Sequence, residues 1–400
     1  MKKHLIICCL ILTNTLALCQ NTNPEFIKYV SFLETQNTSA KDYIINLWKK
    51  YDIVILSERF HGEMTQYDLI YDVISSDYFK KNGGNIFTEI GSISKQQAVL
   101  DFTKTHFTDS KEKEKQLLNL YRKIQWNGWS AANFYYFIDK INMLNFSLPA
   151  DQKINLFVSD VKDPSIENLS SKENFLTYFN GIYKHRDSVM AANIIHVYDS
   201  INLNSSRKKS LVIMNTRHAF SKTFFENDDK NVGHKLIDTY KNRVANVYLN
   251  GLAPTLKVIE SDKNETYKDY VHRPIQSGKW DASFEVVNKE SLGFDFKNNP
   301  FGNDFFDIFP YVKHNYKYQD IFTGFVFYLP LKRHYEAWGI PNYIDDDFID
   351  EFYNQQKFFS EAIGNGEVIK ENLKEDYDYY ESKYDDYDII IEQVNKWLDK

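Results

Sequence analysis

The stretch Ile53–Gly62, IVILSERFHG, decides how the rest of the chain is read. Four aliphatic residues in a row, three of them β-branched, describe a short strand buried on both faces, as in a parallel sheet. The apolar run stops at Ser57, and Glu58, Arg59, Phe60, His61 and Gly62 follow at the strand's carboxyl end. In open α/β sheets that end faces the crevice where ligands bind, because the chain there turns away into a helix. Glu58 and His61 stand three residues apart, a spacing at which a carboxylate can fix the tautomer of an imidazole and raise its basicity. A helix cap followed by a surface histidine has the same spelling, so the weight falls on what the chain places beside them.

Working outward, Met64–Phe79 carries apolar residues at helical spacing, and Gly83 and Gly84 break it. Asn85–Gly91, NIFTEIG, is a second strand ending in Glu89. A strand, helix and strand unit tends to set its two strands side by side, which would bring Glu89 to Glu58 and His61. Lys153–Asp160 is a third strand with Asp160 at its end, Lys209–Asn215 a fourth that runs into Arg217 and His218, and Arg243–Gly251 a fifth without a charged terminus. Parallel wiring would gather Glu58, Glu89, Asp160 and His218 at one edge, and four such endings suggest a site where one means little.

The remaining segments read mostly as helices: two before Ile53, two over Glu112–Ile124 and Ser130–Leu144, and a long one over Glu173–Ile201. Trp126 and Trp129, in the QWNGW between the middle pair, serve as packing or as pocket walls. Arg186 falls inside the long helix, facing an anion or solvent. A further strand is placed at Ile321–Tyr328, and His272 and His334 read as surface residues. Asp376–Lys400 shows one apolar stripe at alternating three and four spacing, a helix packed on the body or on a second copy of the chain. The expected fold class is α/β, a mostly parallel central sheet flanked by helices. Its catalytic domain covers residues 20–330, and residues 331–400 form a helical extension packed on it.

With 43% hydrophobic and 26% charged residues among 400, the chain can bury a large core, and its 28 tyrosines and 30 phenylalanines belong to that core or its rim. Residues 1–19, MKKHLIICCLILTNTLALC, have the basic start and short apolar run of a secretory signal, cut after Cys19. Lipid attachment at Cys19 is the alternative, opposed by Leu18 where a small residue is expected. The three cysteines all lie in this segment, so the mature chain would hold no thiol for a disulfide, a nucleophile or a thiolate metal site. Losing Lys2 and Lys3 takes the net charge from −7 to −9, an acidic balance that argues against nucleic acid.

At this point the motifs resemble a known family. SERFHG resembles the glycine-glutamate-x-x-histidine-glycine motif of the erythromycin esterase-like proteins, grouped with the ChaN-like haem-binding lipoproteins and the Tiki proteases. FTEIG is similar to that family's next glutamate, RDSVMAAN (Arg186–Asn193) to its arginine-aspartate, methionine-alanine and asparagine signature, and LVIMNTRHAF to its late strand ending in histidine. The likeness runs from about Asp52 to Ala219. It implies that His61 is the general base, that Glu58 and Glu89 orient it or the water, and that His218 completes the cluster, with Arg186 in catalysis or in support of the fold. Ser57 replaces the motif's first glycine, Thr65 stands where an acid often closes it with Glu63 displaced nearby, and Asn215 stands where many esterases have another histidine. These departures bear on macrolide hydrolysis more than on the fold.

The leading expectation is a secreted hydrolase of an ester or related acyl bond, acting on a small-molecule substrate with no cofactor, with no transmembrane segment in the mature chain and with a homodimer left open. A second reading makes the two histidines and two carboxylates ligands of Zn²⁺, Mn²⁺ or Fe²⁺ in a hydrolase or protease. A third is a haem or apolar-ligand binding protein of the envelope, with His61 or His218 as axial ligand.

Overall fold

The apolar run at Ile53 forms β1 (Ile53–Glu58), buried along its whole length. It is the centre strand of a seven-stranded sheet in the computed structural model, which describes residues 24–224, 229–260, 266–383 and 387–398, and of these not the side chains of 256–260 and 266–270. The signal segment of the sequence analysis lies outside the described residues. Four more strands match those read from the sequence: β2 (Asn85–Ser92), β3 (Asn155–Asp160), β4 (Ser210–Asn215) and β5 (Val244–Leu249). A hairpin of β6 (Leu252–Glu260) and β7 (Thr266–Pro274) stands apart, and β8 (Leu292–Asp295) and β9 (Gly324–Phe327) complete the sheet in the order β3-β2-β4-β1-β5-β9-β8. Within this seven-stranded sheet the pairings are parallel except the edge pair β8 and β9.

β1 and β2 are not neighbours, as the strand-helix-strand unit suggested: β4 lies between them. The chain leaves β1 toward β2 on one side and leaves β4 toward β5 on the other, so a switch point opens at the carboxyl ends of the adjacent strands β1 and β4. Alternation along the strands gives two cores. Val54, Leu56, Leu211 and Ile213 pack against the helices Thr65–Ile74 and Ala132–Phe146, while Ile53, Ile55, Val212 and Met214 pack against Met190, Ile194 and Leu236 on the other face. A third core under β8 and β9 is built largely of aromatics, Trp280, Phe294, Phe301 and Phe325 among them, and holds many of the phenylalanines.

Several helical expectations are corrected in detail. The long pattern at Glu173–Ile201 breaks into Lys172–Gly181 and Arg186–Asn204, which moves Arg186 from mid-helix to a helix start. The strand placed at Ile321–Tyr328 shrinks to β9, because Tyr318–Ile321 forms a helical turn before it. The single helix over Asp376–Lys400 does not form. Tyr377 turns inward onto Tyr343, the chain then makes β11 (Tyr380–Ser382) against β10 (Glu336–Trp338), and after Asp376 the helical part among the described residues is Tyr387–Trp397. That last helix buries Ile390 and Val394 on the body of the same chain. Among the described residues no helix is long and apolar enough to cross a membrane.

Candidate active site

Glu58, the last residue of β1, is buried, and both its oxygens are used. Oε1 accepts from the Tyr67 hydroxyl at 2.8 Å, and Oε2 from Nδ1 of His61 at 2.8 Å. An ionised carboxylate only accepts, so Nδ1 carries the proton and Nε2 is the basic atom of neutral His61. The His61 ring is 31% exposed and stands edge-on to Trp129, centroids 4.4 Å apart.

The turn that delivers His61 is fixed by amide side chains on three different elements. Gln66 accepts from Arg59 N at 2.9 Å and donates to Phe60 O at 2.7 Å; Asn133 donates to His61 O, and Asn215 to Arg59 O. Glu63 caps the following helix through Thr65 N and Gln66 N and receives the Tyr328 hydroxyl at 2.7 Å. The motif's Gly62 has a steric reason: a Cβ there would meet the Trp338 indole at 2.4 Å.

Glu89, near the end of β2, reaches the end of the neighbouring β4. Its Oε2 accepts from Asn215 N at 2.9 Å, and Oε1 faces Arg186 Nη1 at 3.3 Å and His218 Nε2 at 3.6 Å. Arg186 is itself clamped on Asp160 through Nε at 3.1 Å and Nη2 at 2.8 Å, with Gln125 donating to the same carboxylate. His218 gives Nδ1 to Asp187 at 2.8 Å, and Asp187 also takes Val232 N and lies 3.5 Å from Arg217. Two carboxylate–histidine dyads, Glu58–His61 and Asp187–His218, thus flank Glu89 and Arg186. Thr216 between them has φ 35°, strained for a β-branched residue and the kind of outlier that clusters at functional sites.

Burial opposes charge on His61, but the charge and hydrogen bond of Glu58 outweigh it and raise the pKa, with Glu89 adding to the rise and Arg186 working against it. Burial also raises Glu58, held back by His61 and Tyr67. For Glu89 and Asp187 burial is overcome by neighbouring basic side chains, the His218 ring first and the arginines after it, and both carboxyls lie below the usual range. These couplings put His61, Glu58, Glu89, Arg186 and His218 in one electrostatic cluster, with Asp160 attached through Arg186.

A groove of about 220 Å³ runs beside His61, lined also by Arg59, Thr216, Leu252, His272 and Trp338. His272, read from sequence as a surface residue, is half-buried there with its ring 4.3 Å from that of Phe60. His334 is also not at the surface: it is buried, stacked on Tyr328, and its Nε2 donates to Leu329 O. The two tryptophans divide their roles, Trp129 beside His61 and Trp126 in a satellite core with Phe175 and Phe359. Sequence reasoning gave no role to Tyr67, Asp187 or Arg59; of these only Asp187 had a signal, its place next to Arg186.

The metal reading does not fit these donors. Glu89 is occupied by an amide N–H and a guanidinium, Asp160 is clamped by Arg186, and among the described residues no three His, Cys, Asp or Glu are arranged to hold an ion.

Fold and cluster together describe an α/β protein with a histidine–carboxylate cluster at the carboxyl edge of a largely parallel sheet. No family model and no curated protein matches the sequence. Among solved structures the chain is similar to a succinoglycan biosynthesis protein (TM-score 0.46, 11% identity, 76% of this chain and 97% of that one). It is similar also to a Bacillus cereus protein (TM-score 0.44, 11% identity, 76% and 97%) and to an erythromycin esterase mutant in its open conformation (TM-score 0.43, 10% identity, 73% and 97%). Likenesses this distant leave the chemistry to be argued from the residues themselves.

Proposed function

We propose that this protein is a hydrolase of an ester or related acyl bond, with His61 as general base. Nε2 of His61 takes a proton from water as the water oxygen attacks the acyl carbon; the tetrahedral intermediate then collapses, the carbon–oxygen bond breaks, and the leaving alkoxide takes the proton back from the imidazolium. Glu58 holds the tautomer and stabilises the imidazolium, and the negative charge of Glu89 favours the same protonated state. His218 and Arg186 hold Glu89, so their role is positioning. The observation that carries this reading is the buried Glu58 locked to Nδ1, which leaves a half-exposed ring in a groove with its other nitrogen as the base. At about 220 Å³ the groove is below the roughly 300–1,000 Å³ that encloses a drug-sized ligand, so it suits a short acyl group better than a porphyrin. Residues 1–19 support export with a cut after Cys19, which mass measurement of the chain recovered from the cell envelope would check.

The test is a screen of esters, lactones and peptides, with and without chelator. Turnover is expected on an ester or lactone, insensitive to chelator, and His61→Gln should reduce it at least a hundredfold while the melting temperature stays nearly constant. An active Gln variant removes the assignment.

A further inference from the structure

The groove beside His61 has in its wall an arginine, Arg59, that forms no ion pair among the described residues. Arg59 is 3% exposed and lies with its guanidinium 4.4 Å from the centroid of the Tyr248 ring. One nitrogen, Nη2, donates to Leu252 O, while Nε and Nη1 are buried without an acceptor in hydrogen-bond reach among the described residues. The other arginines at the site are paired, Arg186 with Glu89 and Asp160 and Arg217 with Asp187. Asp307, whose field reaches Tyr248, is engaged by the Tyr318 hydroxyl at 2.5 Å and by Gln276 N at 2.8 Å. The placement is built into the backbone. Asn215 holds Arg59 O, and Gly251 leaves room for the side chain, since a Cβ there would meet Arg59 Cγ at 2.9 Å.

A buried cation without a counter-ion is costly, and here the cost falls two residues from the proposed base, against the groove that a substrate must enter. Tyr248 supplies the ring face that offsets part of it. An anion in the groove would supply the rest.

We propose that Arg59 determines specificity and that the substrate is an anionic ester, with a carboxylate or a phosphate a short arm from the scissile acyl bond. This rests on the hydrolase reading. The groove is small, so charge and acyl carbon must lie close together. Guanidinium matches both anions, and the two sources are separated by experiment.

Mono-p-nitrophenyl glutarate and p-nitrophenyl pentanoate, similar in length and differing in charge, are compared on the full chain. The charged ester is expected to be preferred tenfold or more in kcat/KM, mostly through KM, and Arg59→Met, which keeps the packing on Tyr248, should bring the ratio toward one. Arg59→Lys should retain part of the preference. Glutarate should inhibit competitively while its neutral diamide does not, and inorganic phosphate run beside glutarate shows which anion is preferred. No preference in the native chain, or a ratio that survives Arg59→Met, overturns the proposal. Should Arg59→Met not fold, the comparison of glutarate with its diamide on the native chain decides. Should neither ester be cleaved, the hydrolase reading is what has failed, and calorimetric titration of glutarate against its diamide still tests the anion site: equal or absent binding of the two overturns it.

Discussion

At the level of single residues the chemistry depends on where one proton sits. His61 and Glu58 are both raised above their ordinary values, so the dyad as a unit gives up its proton late. A base works only when free of its proton, and the acid limb of the pH–rate profile should therefore fall above the ordinary imidazole value of about 6.5. Stability runs the other way. A histidine whose folded pKa is raised adds stability that is complete below its unfolded value and is lost as pH rises through the folded one. Activity should thus climb over a pH range in which this pair's contribution to the melting temperature declines, and parallel rate and melting curves across pH 5–9 would show both. Glu58→Gln separates geometry from charge: the amide can donate to Nδ1, inverting the tautomer, and kcat should drop on the order of 10³–10⁴-fold with the fold intact. A loss under tenfold would mean that Glu58 is only a cap.

At the level of elements, what was legible in the sequence is what short-range pattern controls. β1 and β4 could be read because each holds an apolar run of four residues bounded by polar ones, β2, β3 and β5 because aliphatic and aromatic residues gather in short runs between polar ones, and the acids and histidines at their ends could be placed because parallel strands share a direction. The insertion of β4 between β1 and β2 could not, since strand order depends on which crossover packs, not on any local string. The break before Arg186 was hidden for a similar reason: Ile182–His185 keep helical composition but leave the helix, setting Tyr183 against the Arg186 guanidinium and the Trp126 core. Asp281 was invisible as well. It sits in the helix Lys279–Val286 beside a cavity of about 210 Å³ that the final helix covers, and burial pushes its carboxyl up to about 7. An acid raised in the folded state loses stability as pH climbs from its unfolded value toward the folded one. Asp281→Asn should therefore flatten the fall in melting temperature between pH 4 and 7, and an unchanged slope would show that Asn250 and Leu331 N already satisfy the charge.

At the level of the whole molecule the question is whether residues 331–400 are an addition or part of the machine. Tyr343, Phe352 and Leu373 belong to the same core as Val54 and Leu56 of β1, and Trp338 closes over Gly62 of the motif. Phe352 presses on the backbone of Gly128, where a Cβ would come within 2.5 Å of its ring and where φ is 68°. Gly128 is followed directly by Trp129, whose indole stands against His61. A path of contacts therefore runs from the carboxyl-terminal region through one glycine turn to the proposed base. Phe352→Ala opens a cavity in this shared core and should cost about 3–5 kcal/mol. If the two regions are one cooperative unit, near-ultraviolet circular dichroism and calorimetry will report a single transition at a lower temperature, and turnover will fall because Trp129 loses its support. Two separate transitions, with the upper one and the activity unchanged, would show instead that the last seventy residues fold on their own and leave the site alone.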